Sequence, residues 1–183
     1  MRRVTIRPPG LEDEGAFTAA MRASRSLHRP WVKMPESPED YAAYLERSRR
    51  DNAAFFLAHR TEDDAIVGFL NISEIIRGRL QSAFLGYGGV AGHSGKGYMR
   101  QALELVLREA FTTLGLHRLE ANIQPGNTAS LLLARRCGFE REGFSPRYLK
   151  IGGRWRDHER WRCTPSAGVR GSGPGPSTLS ATP

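Results

Sequence analysis

The chain has 183 residues, of which 39% are hydrophobic, and it carries a formal net charge of +8. This length suits one domain that buries roughly two-thirds of its unfolded surface. No apolar run approaches a membrane span, and residues 1–7 lack the apolar core of a signal peptide, so we expect a cytoplasmic protein. The two cysteines, Cys137 and Cys163, form neither a disulfide framework nor a zinc pattern, so no metal is expected.

The positive charge admits two classes of partner, an RNA surface or a ligand that carries phosphates. Basic residues outnumber acidic ones between residues 147 and 162, where only Asp157 and Glu159 oppose them. A solvated strand face and a role in binding an acidic ligand explain this cluster equally well. No nucleic-acid-binding motif accompanies the charge, which disfavours RNA binding as the main function.

The first half of the chain predicts a strand, two helices and an antiparallel meander. Residues 4–7 predict the strand, and a helix follows with Phe17 and Met21 on its apolar face. The second helix begins at Ser37, a capping residue that precedes a proline and two acids. The meander strands are expected at residues 53–59, 65–72 and 82–90.

A glycine-rich turn, Ser94-Gly95-Lys96-Gly97-Tyr98-Met99, follows the third meander strand and opens an amphipathic helix. Glycines let successive N–H groups converge on a phosphate, above the positive end of the helix dipole. A P-loop would need glycine at Val90 and a hydroxyl at Gly97, and a dinucleotide fingerprint would need glycine at Arg100. Neither motif fits, whereas the turn resembles the pyrophosphate loop of acyl-coenzyme A enzymes.

The second half predicts a helix to about Gly115, a strand at residues 118–123, and a short helix from Asn127 to Cys137. A closing strand pair is expected at residues 139–144 and 148–161. These elements add up to an α+β fold.

Further motifs occur in one order and at close spacing: His28-Arg29-Pro30-Trp31, Leu85-Gly86-Tyr87, Leu116 to Ala121, Asn127-Thr128-Ala129-Ser130, Gly138-Phe139 and Asp157-His158. With the glycine turn, they resemble the RimJ/RimL-like branch of the GNAT N-acetyltransferases, the ribosomal-protein-alanine N-acetyltransferases and their relatives. The resemblance implies the acyl-CoA N-acyltransferase fold, a mixed, mostly antiparallel central sheet with splayed middle strands flanked by helices. It assigns residues 1–163 to this domain and leaves a Gly/Ser/Pro-rich tail at residues 164–183, whose composition predicts disorder.

The resemblance also implies acetyl-CoA as the cosubstrate. The expected cofactor-binding residues are Gly88, Gly89, Val90, Gly95, Lys96, Gly97, Tyr98, Met99, Asn127 and Ser130. The backbone of residues 88–90 is expected to donate N–H groups to the thioester carbonyl. The alternative is that Gly88 and Gly89 only form a β-bulge and have no role in binding.

Glu120 is the candidate general base, because related N-terminal acetyltransferases often carry a glutamate at this position. The alternative is a solvent-facing strand residue. Many members of the family carry a tyrosine that acts as the general acid seven residues after the asparagine that corresponds to Asn127. In this chain that position is Ala134. Ser130 is therefore the candidate acid, with Tyr148 or solvent as alternatives.

The sequence thus predicts an acetyl-CoA-dependent N-acetyltransferase acting on the N-terminal α-amine of a protein, such as a ribosomal protein. His28 and Trp31 are candidate acceptor-side residues. The alternatives are an enzyme that acetylates a small amine, such as an antibiotic or a polyamine, and a non-catalytic acyl-CoA-binding protein. Proximity to the ribosome, no membrane partner, and a monomer or homodimer are expected.

Overall fold

A seven-stranded sheet forms the centre of the computed structural model, which describes residues 3–165. In chain order the strands are β1 (Val4–Arg7), β2 (Ala54–Arg60), β3 (Ile66–Ile76), β4 (Ser82–Gly89), β5 (Arg118–Ile123), β6 (Glu140–Ile151) and β7 (Arg154–Cys163). They lie side by side in the order β1-β2-β3-β4-β5-β7-β6. Only β4 and β5 pair in parallel, so the expected mixed, mostly antiparallel sheet is confirmed.

Within the described residues, five α-helices flank the sheet, and they are α1 (Glu14–Ala23), α2 (Arg25–His28), α3 (Pro38–Ser48), α4 (Tyr98–Thr112) and α5 (Thr128–Arg136). Ser37 caps α3 as predicted, accepting the Asp40 amide at 3.1 Å. The first predicted helix divides into α1 and α2 at Ser24. The Ser24 hydroxyl donates to the Ala20 carbonyl at 2.7 Å and accepts the Ala91 amide at 2.8 Å, so it also holds the chain leaving β4.

The helices bury two separate apolar clusters, one on each face of the sheet. On one face, called the α4 face, the side chains of α4 and α5 pack on alternate residues of β2 to β5. On the other, the α1 face, α1 and α3 contribute an aromatic group in which Phe17 stacks on Tyr44 with ring centroids 5.2 Å apart. Phe69 of β3 joins this second cluster.

The closing strands differ from the prediction. Residues 148–161 are not one strand, because the chain reverses at Gly152 and Gly153, whose φ angles are +57° and +79°. Two consecutive positive φ angles are the requirement of a tight hairpin turn, which glycines meet without strain. The expected break after Phe144 is instead a register shift within β6, between Ser145 and Leu149.

The middle strands splay apart. β4 and β5 pair only where residues 82–84 lie beside residues 118–120. Beyond that point β4 stays paired with β3 up to Gly89, and β5 stays paired with β7 up to Ile123. The space between residues 85–89 and residues 121–123, called here the interstrand gap, therefore widens toward the ends of both strands.

The Gly/Ser/Pro-rich tail predicted at residues 164–183 lies outside the described residues from position 166 onward. No helix among residues 3–165 is long and apolar enough to cross a membrane.

Candidate active site

The glycine-rich turn lies between the end of β4 and the start of α4. Gly92, Gly95 and Gly97 have φ angles of +83°, +74° and +80°, a region that L side chains rarely adopt. Within residues 3–165, the amides of residues 94–97 donate to no protein acceptor. The first amides of α4 add further free donors at the positive end of the helix dipole. The free amides give the turn the geometry that can bind an anion through the backbone.

Two cations hold the shape of this turn. Lys96 Nζ donates to the Gly92 carbonyl at 2.8 Å, and the Arg3 guanidinium donates to the Lys96 carbonyl at 2.6 Å. Arg3 also lies over the Tyr98 ring, 5.0 Å from its centroid. Burial and the nearby Arg60 and Lys96 lower the pKa of His93, so the positive charge of the turn comes from lysine and arginine.

Two of the predicted cofactor-binding residues use their side chains for packing. Tyr98 is buried in the α4-face cluster. Met99 lies so close to β3 and β4 that a Cβ on Gly68 would come within 2.1 Å of its Sδ atom, and one on Gly89 within 3.2 Å of its Cγ atom. Only the backbone N–H groups of Tyr98 and Met99 are therefore placed to meet a ligand at the turn.

Gly88 and Gly89 lie in a regular part of the ladder, opposite Phe69 and Gly68, so the alternative that they form a bulge is wrong. A Cβ on Gly88 would lie 2.6 Å from the Phe69 ring. Together with the Met99 contact on the other face, this close approach explains why the end of β4 consists of glycine.

Of the three predicted backbone donors, one faces the interstrand gap. The Val90 amide donates to the Val67 carbonyl at 3.0 Å. In an antiparallel ladder, every second residue of a strand directs its N–H and C=O groups at the same neighbouring strand. Gly88, like Val90, therefore directs its amide at β3. Gly89, between them, directs its N–H and C=O into the interstrand gap. The Gly89 carbonyl accepts Nε2 of the buried His28 at 2.8 Å, which leaves the Gly89 N–H for a ligand.

The loop after α2 spans the mouth of the gap on the α1 face. His28 fastens its start to β4, and Trp31 fastens it to the end of β5, where Gln124 Nε2 donates to the Trp31 carbonyl at 3.3 Å. The Trp31 ring lies against Gly126, 3.1 Å from the position of an added Cβ. Residues 29–34 are called the bridging loop. The two predicted acceptor-side residues therefore lie at the gap and tie its two strands together.

Glu120 lies at the last paired position of β5, opposite Phe84, where the interstrand gap begins. Its side chain is 12% exposed and accepts a hydrogen bond from Arg118 Nη2 at 2.8 Å. Asn122 shares this face of β5, and its Oδ1 atom is buried with no hydrogen-bond partner among the described residues. A carboxylate and an unpaired amide oxygen thus stand in line toward the open end of the gap.

Arg118 is the residue that sequence reasoning missed beside Glu120. It pairs with Glu142 as well, and the two carboxylates raise the pKa of its guanidinium. Arg118 in turn holds the pKa of Glu142 below its usual value. The sequence does not indicate that Arg118 and Glu142 meet, because β7 lies between their strands, β5 and β6, in the sheet.

Ser130, on α5, is joined to Tyr87, on β4, by two hydrogen bonds. The Ser130 hydroxyl donates to the Tyr87 hydroxyl at 3.0 Å, and the Tyr87 hydroxyl donates to the Ser130 carbonyl at 2.9 Å. Burial raises the pKa of the Tyr87 phenol, so this group remains a donor at neutral pH. Asn127 Oδ1 accepts the Ser130 amide at 3.2 Å and caps α5, as predicted.

The other side-chain candidate for the acid, Tyr148, is not placed at this pair. Ala134, which stands where many relatives carry the tyrosine, is fully buried in the α4-face cluster. Tyr148 lies on β6 with its ring against His158, at 6.3 Å between centroids. No hydrogen bond joins Tyr148 to Ser130 within the described part of the chain.

The Tyr87–Ser130 pair yields a first prediction. Ser130→Ala should lower kcat by about 10²-fold, the lower end of general-acid contributions. Tyr87→Phe should lower it by about tenfold, because both hydrogen bonds that join the tyrosine to Ser130 are lost, and the double variant should match Ser130→Ala. Steady-state kinetics of the three variants tests this, with Tyr41→Phe as the control, since Tyr41 donates to the Gly10 carbonyl at 2.6 Å in the other cluster. Fully additive losses would contradict the shared role.

Comparison with known proteins agrees with this architecture. The family model described as "Acetyltransferase (GNAT) domain" matches residues 3–140. The chain belongs to the GNAT family of acetyltransferases, and its expected enzyme class, acyltransferase, is confirmed. Within the family it fits the RimJ/RimL-like branch, as the sequence motifs indicate.

Among its relatives, the [Ribosomal protein uS5]-alanine N-acetyltransferase of Escherichia coli is 34% identical over 81% of each chain. The probable N-acetyltransferase YjcK of Bacillus subtilis is 40% identical over 63% of this chain, and the match spans 64% of YjcK. The spermidine N(1)-acetyltransferase of Vibrio cholerae is 26% identical over 79% of this chain and 83% of its own length.

The solved structure of Mycobacterium smegmatis RimJ in complex with CoA-disulfide matches with a TM-score of 0.81 and 30% identity, over 88% of this chain and 81% of that one. The family uses acetyl-CoA. In residues 3–165 no group of three or more His, Cys, Asp or Glu side chains could hold a metal ion.

Proposed function

We propose that this protein transfers the acetyl group of acetyl-CoA to the N-terminal α-amine of a protein, such as a ribosomal protein. The observation that carries the proposal is the interstrand gap, which runs from the anion-binding turn at one end to Glu120 at the other. The likeness to the uS5-alanine N-acetyltransferase supports the choice of acceptor.

In this proposal the backbone holds the cosubstrate. The amides of residues 94–99 bind the pyrophosphate, and the edge of β4 that faces the gap pairs with the pantetheine arm. The Gly89 N–H polarises the thioester carbonyl and stabilises the oxyanion that develops on it. The residues present fit these tasks, because their donors are free and the glycines leave room for close approach.

The side chains along the gap then move protons. Asn122 Oδ1 accepts a hydrogen bond from the incoming amine, and Glu120 takes a proton from that amine through water, so that the neutral nitrogen attacks the carbonyl. When the tetrahedral intermediate collapses, the C–S bond breaks and Ser130 donates its proton to the departing thiolate. The nitrogen releases the proton that it loses on becoming an amide, and this proton returns to the Ser130 oxygen, so the products are the amide and the CoA thiol. Tyr87 holds the Ser130 oxygen by a hydrogen bond throughout.

The likeness to a spermidine acetyltransferase favours a second candidate, a polyamine acceptor. Thioester cleavage by the protein with a panel of acceptors separates the candidates. We expect turnover with peptides that begin with Ala or Ser, and much slower turnover with spermidine or an N-terminally blocked lysine peptide. Turnover confined to either of the last two acceptors would overturn the α-amine assignment, and no cleavage with any amine would favour a non-catalytic acyl-CoA-binding protein.

A further inference from the structure

The bridging loop has a cavity of about 300 Å³ on one side and a cavity of about 490 Å³ on the other. Trp31, Gln124 and Trp155 contribute to the walls of the smaller cavity. The larger one, called the cationic cavity, lies between the bridging loop and the turn that joins β6 to β7. Its wall includes His28, which contacts the Gly89 carbonyl, so this cavity adjoins the end of β4 where the thioester is expected.

Positive charge dominates the cationic cavity. Four of its lining residues are basic and one is acidic: Arg25, Arg29, Lys33, Arg156 and Glu36. Arg25 forms an ion pair with Glu36, and this contact, with Arg29 and Lys33 nearby, lowers the pKa of the Glu36 carboxyl. Within residues 3–165, Arg29, Lys33 and Arg156 form no ion pair.

Arg156 is the most constrained of these cations. It contributes to the walls of both cavities. Its Nε atom is buried and has no hydrogen-bond partner in the described structure. A buried guanidinium N–H without an acceptor lowers the stability of the fold, because it has lost its hydrogen bond to water and has no protein hydrogen bond to replace it. An oxygen acceptor, above all a carboxylate that can bind two guanidinium nitrogens, would remove this cost.

We propose that the cationic cavity binds a carboxylate of the acceptor, and that the preferred acceptors are peptides with an acidic side chain close behind the N-terminal amine. The inference rests on the proposed function and names the kind of N-terminus that the enzyme selects. The same charges exclude polyamines, since an acceptor with several ammonium groups would meet at least three unpaired cations.

The test compares two peptides that differ in one group, beginning Ala-Glu and Ala-Gln. We expect the wild-type protein to prefer the Glu peptide by about tenfold in kcat/KM, the gain of one charge-assisted hydrogen bond. Arg156→Gln should remove most of this preference. Lys33→Gln, a change at an exposed loop residue, should reduce it without affecting the fold. Arg108→Gln, at an exposed position on α4, is the matched control and should leave the preference unchanged.

Two further acceptors distinguish the source of the carboxylate. Free alanine and alaninamide carry the same amine with and without an α-carboxylate, and we expect neither to approach the Glu peptide in kcat/KM. A strong preference for free alanine would assign the cavity to an amino-acid acceptor and overturn the peptide proposal. Equal kcat/KM for the Glu and Gln peptides would overturn the carboxylate proposal while leaving the α-amine activity intact. Turnover of spermidine alone would overturn the proposed function itself.

Discussion

Glu120→Gln is expected to lower the rate of acetyl transfer by about 10²–10⁴-fold, with acetyl-CoA affinity nearly unchanged. The amide keeps the size and shape of the carboxylate and loses the basic site that we propose takes the proton from the amine. Glu120 lies where the interstrand gap begins, apart from the turn expected to hold the pyrophosphate, so binding should be spared. Single-turnover rates and calorimetric titration with acetyl-CoA separate the two effects.

The pH dependence of this loss identifies the acceptor. An α-amine with a pKa of about 7.7–8.0 is mostly neutral above about pH 8 and then needs no base, whereas a lysine of pKa about 10.4 remains protonated. The ratio of wild-type to variant rates should therefore fall as the pH rises past about 8 if the acceptor is an α-amine. With a lysine acceptor the ratio would stay high to a much higher pH.

Glu142→Gln is the matched control, because Glu142 shares Arg118 with Glu120 and is more exposed, at 36% against 12%. It removes one carboxylate from the same arginine, and it should leave the rate close to wild type. Equal rates for Glu120→Gln and wild type at pH 6.5 would eliminate Glu120 as the base. A comparable loss in both variants would show that the charge balance around Arg118 matters rather than the base.

Gly97→Val is expected to weaken acetyl-CoA binding by about 100-fold or more, the equivalent of two lost charge-assisted hydrogen bonds. Gly97 has a φ angle of +80° at the N-terminal cap of α4, a conformation that a β-branched residue strongly resists. A relaxed backbone would turn the amides of the turn away from the phosphate, and the new side chain would occupy space the ligand needs. Calorimetry on the folded variant measures the loss.

Gly138→Val controls for backbone strain alone. Gly138 has a φ angle of +86°, open space around it, and a position after α5, outside the turn. Both variants should lose stability by similar amounts, and only Gly97→Val should lose affinity. Wild-type affinity in a folded Gly97→Val protein would remove the turn from the binding site.

The features that sequence reasoning predicted are those set by neighbouring residues. Ser37 and Asn127 predict helix starts, because the side chain of a capping residue accepts a hydrogen bond from a backbone amide three residues later in the chain. The glycine-rich turn is predictable from its glycines, because a positive φ angle depends on the single residue that adopts it and glycine adopts it without strain. The two-glycine hairpin at Gly152 and Gly153 follows the same rule, but the break expected from the sequence lies after Phe144 instead.

The features that escaped prediction join distant parts of the chain. Tyr87 and Ser130 are 43 positions apart, and His28 and Gly89 are 61 apart. Nothing local marks Tyr87 as the partner of a serine, because a tyrosine in an apolar strand reads as a core residue. The unpaired Nε of Arg156 likewise results from tertiary packing, so the sequence showed only a basic stretch.

The two apolar clusters lie on opposite faces of the sheet, so a substitution in one cluster need not disturb the packing of the other. Substitutions among Phe17, Met21 and Tyr44 reshape the support of the bridging loop while the cluster around α4, which carries the glycine turn, keeps its packing. We therefore expect acceptor preference and binding of the acetyl donor to vary separately among relatives. Exchanging residues 11–48 between relatives should accordingly transfer acceptor preference more readily than any exchange around α4.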